Sequence, residues 1–212
     1  DKGYEDVEIN VGQNTKNFVL WIWSDITDRV DVAIIPPLGN SIGRIEARNN
    51  FINTYKINIT DTTVRVEYRI PLYRTSSQVT MIYVDKAVSG IWTIRVYGNT
   101  VLGKINCWLP ITEFASDIKF LSPNVNTTLV TPSTAFNVMS VGGYDTISNK
   151  MIPSSGRGPT KDGRLKPDFV APTNYSTSIS ASISAGVAAL LLEWGIVRAN
   201  NFNLNTISIK SY

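Results

Sequence analysis

The chain has 212 residues, 43% of them hydrophobic, enough to bury a substantial core in one or two domains. Its 20 basic and 17 acidic residues are scattered, with no Lys/Arg block of the kind that tracks phosphates, which argues against a nucleic-acid partner. One cysteine, Cys107, excludes an internal disulfide, and the absence of histidine leaves no zinc-ligand pattern.

Up to about residue 110 the sequence is a succession of short alternating runs. VRVEYRI places Val64, Val66, Tyr68 and Ile70 on one face and Arg65, Glu67 and Arg69 on the other, the mark of a half-buried antiparallel strand. NFVLWIW is apolar on both faces, VDVAII precedes the turn PPLGN, YKINI precedes TDTT, and VTMIYV leads through DKAVSG to IWTIRVYG. Short strands at regular spacing, with no helical stretch between them, predict a β-sandwich whose inner faces carry Trp92, Ile94 and Val96. Trp21 and Trp23 fit either a ligand platform or buried packing, and strand aromatics in a small sandwich more often serve the core or a domain interface. Asp25, Asp28 and Asp31 lack the dense oxygen spacing of a calcium loop and read as solvated loop charges.

After CWLPITEF the pattern changes. FNVMSVGGYD reads as a buried strand ending in Gly142 and Gly143, MIPSSGRGPTKDGRLKPD as a long Gly/Pro loop, FVAP as a short strand, and residues 178–195 as a helix. That helix is apolar nearly all round, which predicts burial inside a larger α/β domain. Its longest apolar run, AGVAALLL, is too short to cross a bilayer, so no membrane partner is expected.

SSGRGPTKDGRLKPDFVAP followed by STSISASISAG resembles the C-terminal part of the catalytic domain of subtilisin-like serine proteases. In that family a Gly-Pro-Thr loop and a Lys-Pro-Asp strand precede Gly-Thr-Ser and a helix. Matched residue by residue, Ser176 stands at the family's glycine, Thr177 at its threonine, Ser178 at the nucleophile, Ile179 at the methionine, and Ala185 and Gly186 at the closing pair. The connection APTNYSTS is shorter than the family's strand and loop. AALLLEWGIVRAN, with a β-rich segment ahead of the protease motif, is most similar to the clostridial Csp germination proteases.

The resemblance implies the C-terminal portion of an α/β subtilisin-like fold together with an all-β jelly-roll sandwich inserted in it. Residues 1–112 would be the jelly-roll domain and 113–212 the catalytic part. It implies a serine endopeptidase acting on protein substrates, in this subgroup the precursor of a spore cortex hydrolase, in a spore-associated or extracellular setting. No cofactor is implied; calcium is common in the family, but nothing here assigns a site for it. The family's chain order, Asp then His then Ser, puts the missing base ahead of residue 1, on the N-terminal part of the same protease, in one chain with it or as a separate one. Loss of the base from such a triad costs about 10⁶-fold in kcat, so this chain alone is expected to be inert.

Two readings of Ser178 stand side by side. A hydroxyl on the first turn of a helix lies where unpaired N–H groups and the dipole favour an oxyanion, whereas Ser176, Thr177 or Ser178 could each serve simply as the helix cap. Ser180, Ser182 and Ser184 read as small side chains on a tightly packed helix. Two functions outside catalysis remain open: a catalytically inactive subtilisin-like scaffold that binds a partner, and a β-sandwich that binds carbohydrate.

Overall fold

The computed structural model describes residues 3–110 and 117–211, and the chain divides into two compact units, Asp1–Pro123 and Asn124–Tyr212. The anticipated division at residue 112 falls earlier. A strand at Ile118–Phe120 pairs with the first strand of the chain and so belongs to the first unit. Of CWLPITEF, residues 107–110 are described and 111–114 lie outside the described residues.

The first unit contains two five-stranded antiparallel sheets. Its strands are β1 (Tyr4–Val11), β2 (Asn17–Asp25), β3 (Arg29–Ile35), β4 (Ile42–Ile45), β5 (Phe51–Ile57), β6 (Thr62–Arg69), β7 (Ser77–Asp85), β8 (Gly90–Thr100), β9 (Asn106–Trp108) and β10 (Ile118–Phe120). One sheet runs β10-β1-β8-β3-β4 and the other β5-β6-β7-β2-β9. Alternation decides the core. Val64, Val66 and Tyr68 from β6 meet Phe18, Leu20 and Ile22 from β2 and the anticipated Trp92, Ile94 and Val96 from β8 in one cluster fed by both sheets. Trp92 is fully buried, edge-on to Phe18 at 5.6 Å between ring centroids, and its indole N–H donates to Val88 O at 2.9 Å.

Trp21 and Trp23 lie on the opposite face of β2 from this core, with Trp21 exposed and Trp23 half-buried. Strand parity puts them outside once Leu20 and Ile22 point in. Glu67 was anticipated on the solvated face of β6, yet it is buried and ion-paired to Arg69 at 2.6 Å.

The second unit holds a three-stranded sheet ordered β12-β11-β13, with β11 at Val141–Asp145, β12 at Lys150–Met151 and β13 at Phe169–Pro172. β11 and β13 are parallel, with Gly143 opposite Ala171. The strand is shorter than FNVMSVGGYD suggested, because Phe136–Ser140 precedes it without joining the ladder and Phe136 stays exposed. Helix α1, Thr177–Leu192, packs on β11 and β13 and continues as a π-helical turn over Glu193–Val197; a short helix α2 follows at Thr206–Ile209.

Candidate active site

The approach to α1 is a hydrogen-bonded turn. β13 ends at Pro172, and buried Thr173 donates its N–H to Tyr144 O at 2.8 Å. Its hydroxyl donates to Ser176 O at 2.6 Å and accepts from Ser176 N–H at 3.0 Å, so four residues suffice to turn the strand into the helix. Ser176 then caps α1. Its backbone is extended (φ −137°, ψ 131°), a conformation open to any residue, so the serine standing where the family has glycine causes no backbone strain. Its Oγ accepts from Ser178 N–H at 3.2 Å, and its carbonyl accepts from Ile179 N–H at 3.1 Å.

Ser178 is exposed on the first turn of α1, and no side chain among the described residues hydrogen-bonds to its hydroxyl. The cap and nucleophile readings therefore fall on different serines: Ser176 caps, and Ser178 presents its oxygen. The N–H of residue 178 is not an open donor at a bare helix end, because Ser176 Oγ already holds it.

The following serines do more than save space. Ser180 is fully buried and donates to Ala171 O at 3.0 Å, stitching the helix to β13. Ser182 donates to Ser178 O at 2.9 Å and Ser184 to Ser180 O at 2.8 Å, both back along the helix. Gly143 permits the close approach of α1 to β11. A Cβ there would stand 2.8 Å from Thr173 Cγ2, 3.1 Å from Ile152 Cδ1 and 3.2 Å from Ser180 Oγ. The helix touches the sheet along one stripe only, and its buried residues, Ser180, Ser184 and, in the π turn, Gly195, are small or polar. Ile179, Ile183, Val187, Leu190 and Trp194 are exposed. Within this chain only the side of α1 that packs on β11 and β13 is covered; the all-round burial predicted for it belongs to a larger α/β domain.

A profile of the subtilase family (peptidase S8) matches residues 73–201, more than half of the chain and part of both units. The chain belongs to the subtilase family. The solved structure of the Clostridium perfringens CspB protease is similar over 100% of this chain, with 31% sequence identity and a TM-score of 0.87. The subtilase chain described here spans 48% of that protein, about half its length. No curated protein matches it.

The Gly-Pro-Thr and Lys-Pro-Asp segments of the subtilase resemblance pack against each other ahead of β13. Gly158 of the Gly-Pro-Thr loop lies so close to Lys166 that a Cβ would stand 2.1 Å from its carbonyl oxygen. Lys166, nearly fully buried, donates to Val138 O at 2.7 Å and to Asp168 at 2.6 Å. Asp168 also accepts Ser140 N–H at 2.7 Å and pairs with Lys210 at 3.2 Å. Burial pushes its carboxyl up, but the hydrogen bonds from Lys166, Ser140 and Lys210 outweigh that and hold it below the usual carboxylate value. The Lys-Pro-Asp motif is thus a buried ion pair that anchors the start of β13, the strand directly before the helix that carries Ser178.

The three aspartates of the first unit are not all solvated. Asp28 and Asp31 are buried. Asp28 accepts from Asp25 N–H at 3.1 Å and Leu102 N–H at 2.9 Å, while Asp31 accepts from Ala47 N–H at 2.9 Å, Asn99 at 2.8 Å and Arg44 at 2.8 Å. Burial raises the Asp31 carboxyl and those three donors more than compensate, leaving it below its ordinary value. Their oxygens tie loops to strands. Burial, and then the charge of Glu5, push the Cys107 thiol up to about 12, which leaves it protonated and a poor nucleophile.

Proposed function

We propose that this chain is the nucleophile-bearing C-terminal part of a serine endopeptidase, with Ser178 attacking the scissile carbonyl of a protein substrate. The observation that carries the reading is the placement of an exposed, unengaged serine hydroxyl on the first turn of α1, directly after a parallel strand and inside the family's motif. A serine hydroxyl needs a base, and the chain contains no histidine. The base and its orienting carboxylate come from the N-terminal part of the same protease. As Oγ bonds to the carbonyl carbon, its proton passes to the imidazole, the carbonyl oxygen takes up the negative charge, and the imidazolium then protonates the departing amine. Water hydrolyses the acyl-enzyme by the same relay in reverse.

The outward face of α1 supports the same partner. Ile179, Ile183, Val187 and Leu190 are exposed while serines face the sheet, the reverse of a finished surface helix. The N-terminal part of the protease covers this face and brings the base to Ser178. The two-sheet unit is the inserted jelly-roll domain, a reading supported by the nesting of β1 with β8 and of β2 with β7. From the resemblance of its C-terminal sequence to the clostridial Csp germination proteases, we take the precursor of a spore cortex hydrolase as its substrate and a spore-associated or extracellular setting as its place of action.

A fluorophosphonate probe tests the reading. The full-length protein carrying this segment should be labelled at Ser178, and Ser178→Ala should abolish the label. An unlabelled full-length protein would leave the alternative of a binding scaffold, which one observation favours: the N–H of Ser178 is already taken by Ser176.

A further inference from the structure

We propose that the Ser176 hydroxyl is a lock on the Ser178 amide, a polar clasp that must be released before the site can stabilise an oxyanion. The inference rests on the endopeptidase reading of Ser178. An acyl group attached to Ser178 Oγ carries its carbonyl oxygen within reach of that residue's own N–H, and backbone donors aimed at developing charge are the usual source of its stabilisation. Here that N–H points to Ser176 Oγ at 3.2 Å.

The clasp is well supported from behind. Thr173 fixes Ser176 from both sides, accepting its N–H at 3.0 Å and donating to its carbonyl at 2.6 Å, so the cap backbone is held and only the Ser176 side chain is left to move. Extended backbone at Ser176 is compatible with any of the staggered side-chain rotamers, and the turn is held by backbone atoms and Thr173 rather than by the Ser176 hydroxyl. A neutral hydroxyl competes with a charged oxygen for one N–H, and hydrogen bonds to ionised acceptors are about twice as strong. The oxyanion wins that competition, but at the cost of one existing hydrogen bond. Removing the hydroxyl removes the cost from the transition state while leaving substrate binding untouched.

Steady-state kinetics on the full-length protein, with Ser176→Gly, Ser176→Ala and Ser176→Thr, tests the lock. The Gly and Ala variants should raise kcat about two- to ten-fold with KM unchanged, since one neutral hydrogen bond is at stake. The Thr variant keeps the hydroxyl and should stay near wild type, as it would for a structural cap also; the rise in kcat with Gly and Ala is the result that a structural cap would not give. Fluorophosphonate labelling rates should follow kcat. If labelling occurs but kcat is equal or lower in both Gly and Ala variants, the lock is overturned and the endopeptidase reading stands; a fall rescued by Thr would mean that the hydroxyl supports the site as a helix cap or as a donor to the anion. If wild type and variants are all unlabelled, the nucleophile reading fails and takes the lock with it.

Discussion

Asp168 shows how a motif residue acts at a distance from the chemistry. Its carboxylate pairs with Lys166, whose side chain is only 3% exposed, so neutralising the acid strands a buried ammonium. Asp168→Asn should destabilise the second unit by about 3–5 kcal/mol. The carboxyl titrates lower in the folded chain than in the unfolded one. Its contribution is therefore complete above the unfolded value of about 4 and drains away as pH falls through that value toward the folded one. Thermal melts below about pH 4 should show wild type losing stability and the Asn variant changing less; parallel curves would show that the pair does not carry the acid sensitivity. From the sequence, Lys166 and Asp168 could be matched to a family motif, but not the burial that gives them their strength. Ser178 could be placed by the same matching, whereas the bond from its N–H to Ser176 depends on a side-chain rotamer that no pattern encodes.

The contact between α1 and β11 is governed by Gly143 and Ser180. Gly143→Ala would drive a methyl into Thr173 and Ile152, at a cost of about 1–3 kcal/mol for overpacking. Because Thr173 is also the residue that holds Ser176, the variant should slow fluorophosphonate labelling of Ser178 in the full-length protein as well as lower the melting temperature. A lower Tm with unchanged labelling would separate the packing from the site. The strands of the first unit were legible because period-2 alternation is local: Val64, Val66 and Tyr68 point inward as their spacing dictates. Glu67 was not, because its burial depends on what lies over the outer face, where Arg69 comes within 2.6 Å. α1 was legible as a helix of the right extent, and its serines as packing residues, but the hydrogen bonds they make to β13 and to preceding turns require a neighbour whose position the sequence pattern does not contain.

The whole molecule consists of a two-sheet unit with its own core and a strand–helix unit whose central helix is apolar on the outside. Thr177–Val197 forms 21 continuous helical residues with an 18-residue window of mean hydropathy 1.6, more apolar length than the run AGVAALLL suggested and enough by length and composition to cross a bilayer. It packs on β11 and β13, with Ser180 and Ser184 on the sheet side. The isolated chain should therefore bind a hydrophobic dye such as ANS and self-associate. The double substitution Ile183→Lys with Val187→Glu should suppress both in the isolated chain and impair assembly of the full-length protein; full-length protein unaffected by it would rule out a covering role for the N-terminal part.

By itself the sequence determined the two kinds of segment, the strand faces of the sandwich core and the position of Ser178 within the subtilase motif, because alternation, turn residues and motif order are properties of neighbours along the chain. The tertiary structure alone decided that Asp28, Asp31 and Glu67 are buried, that Trp21 and Trp23 face away from the core, and that Ser176 rather than Ser178 caps the helix and occupies its neighbour's N–H. Burial and hydrogen bonding depend on which atoms arrive from elsewhere in the chain, and that information becomes available only when the strands and the helix have come together.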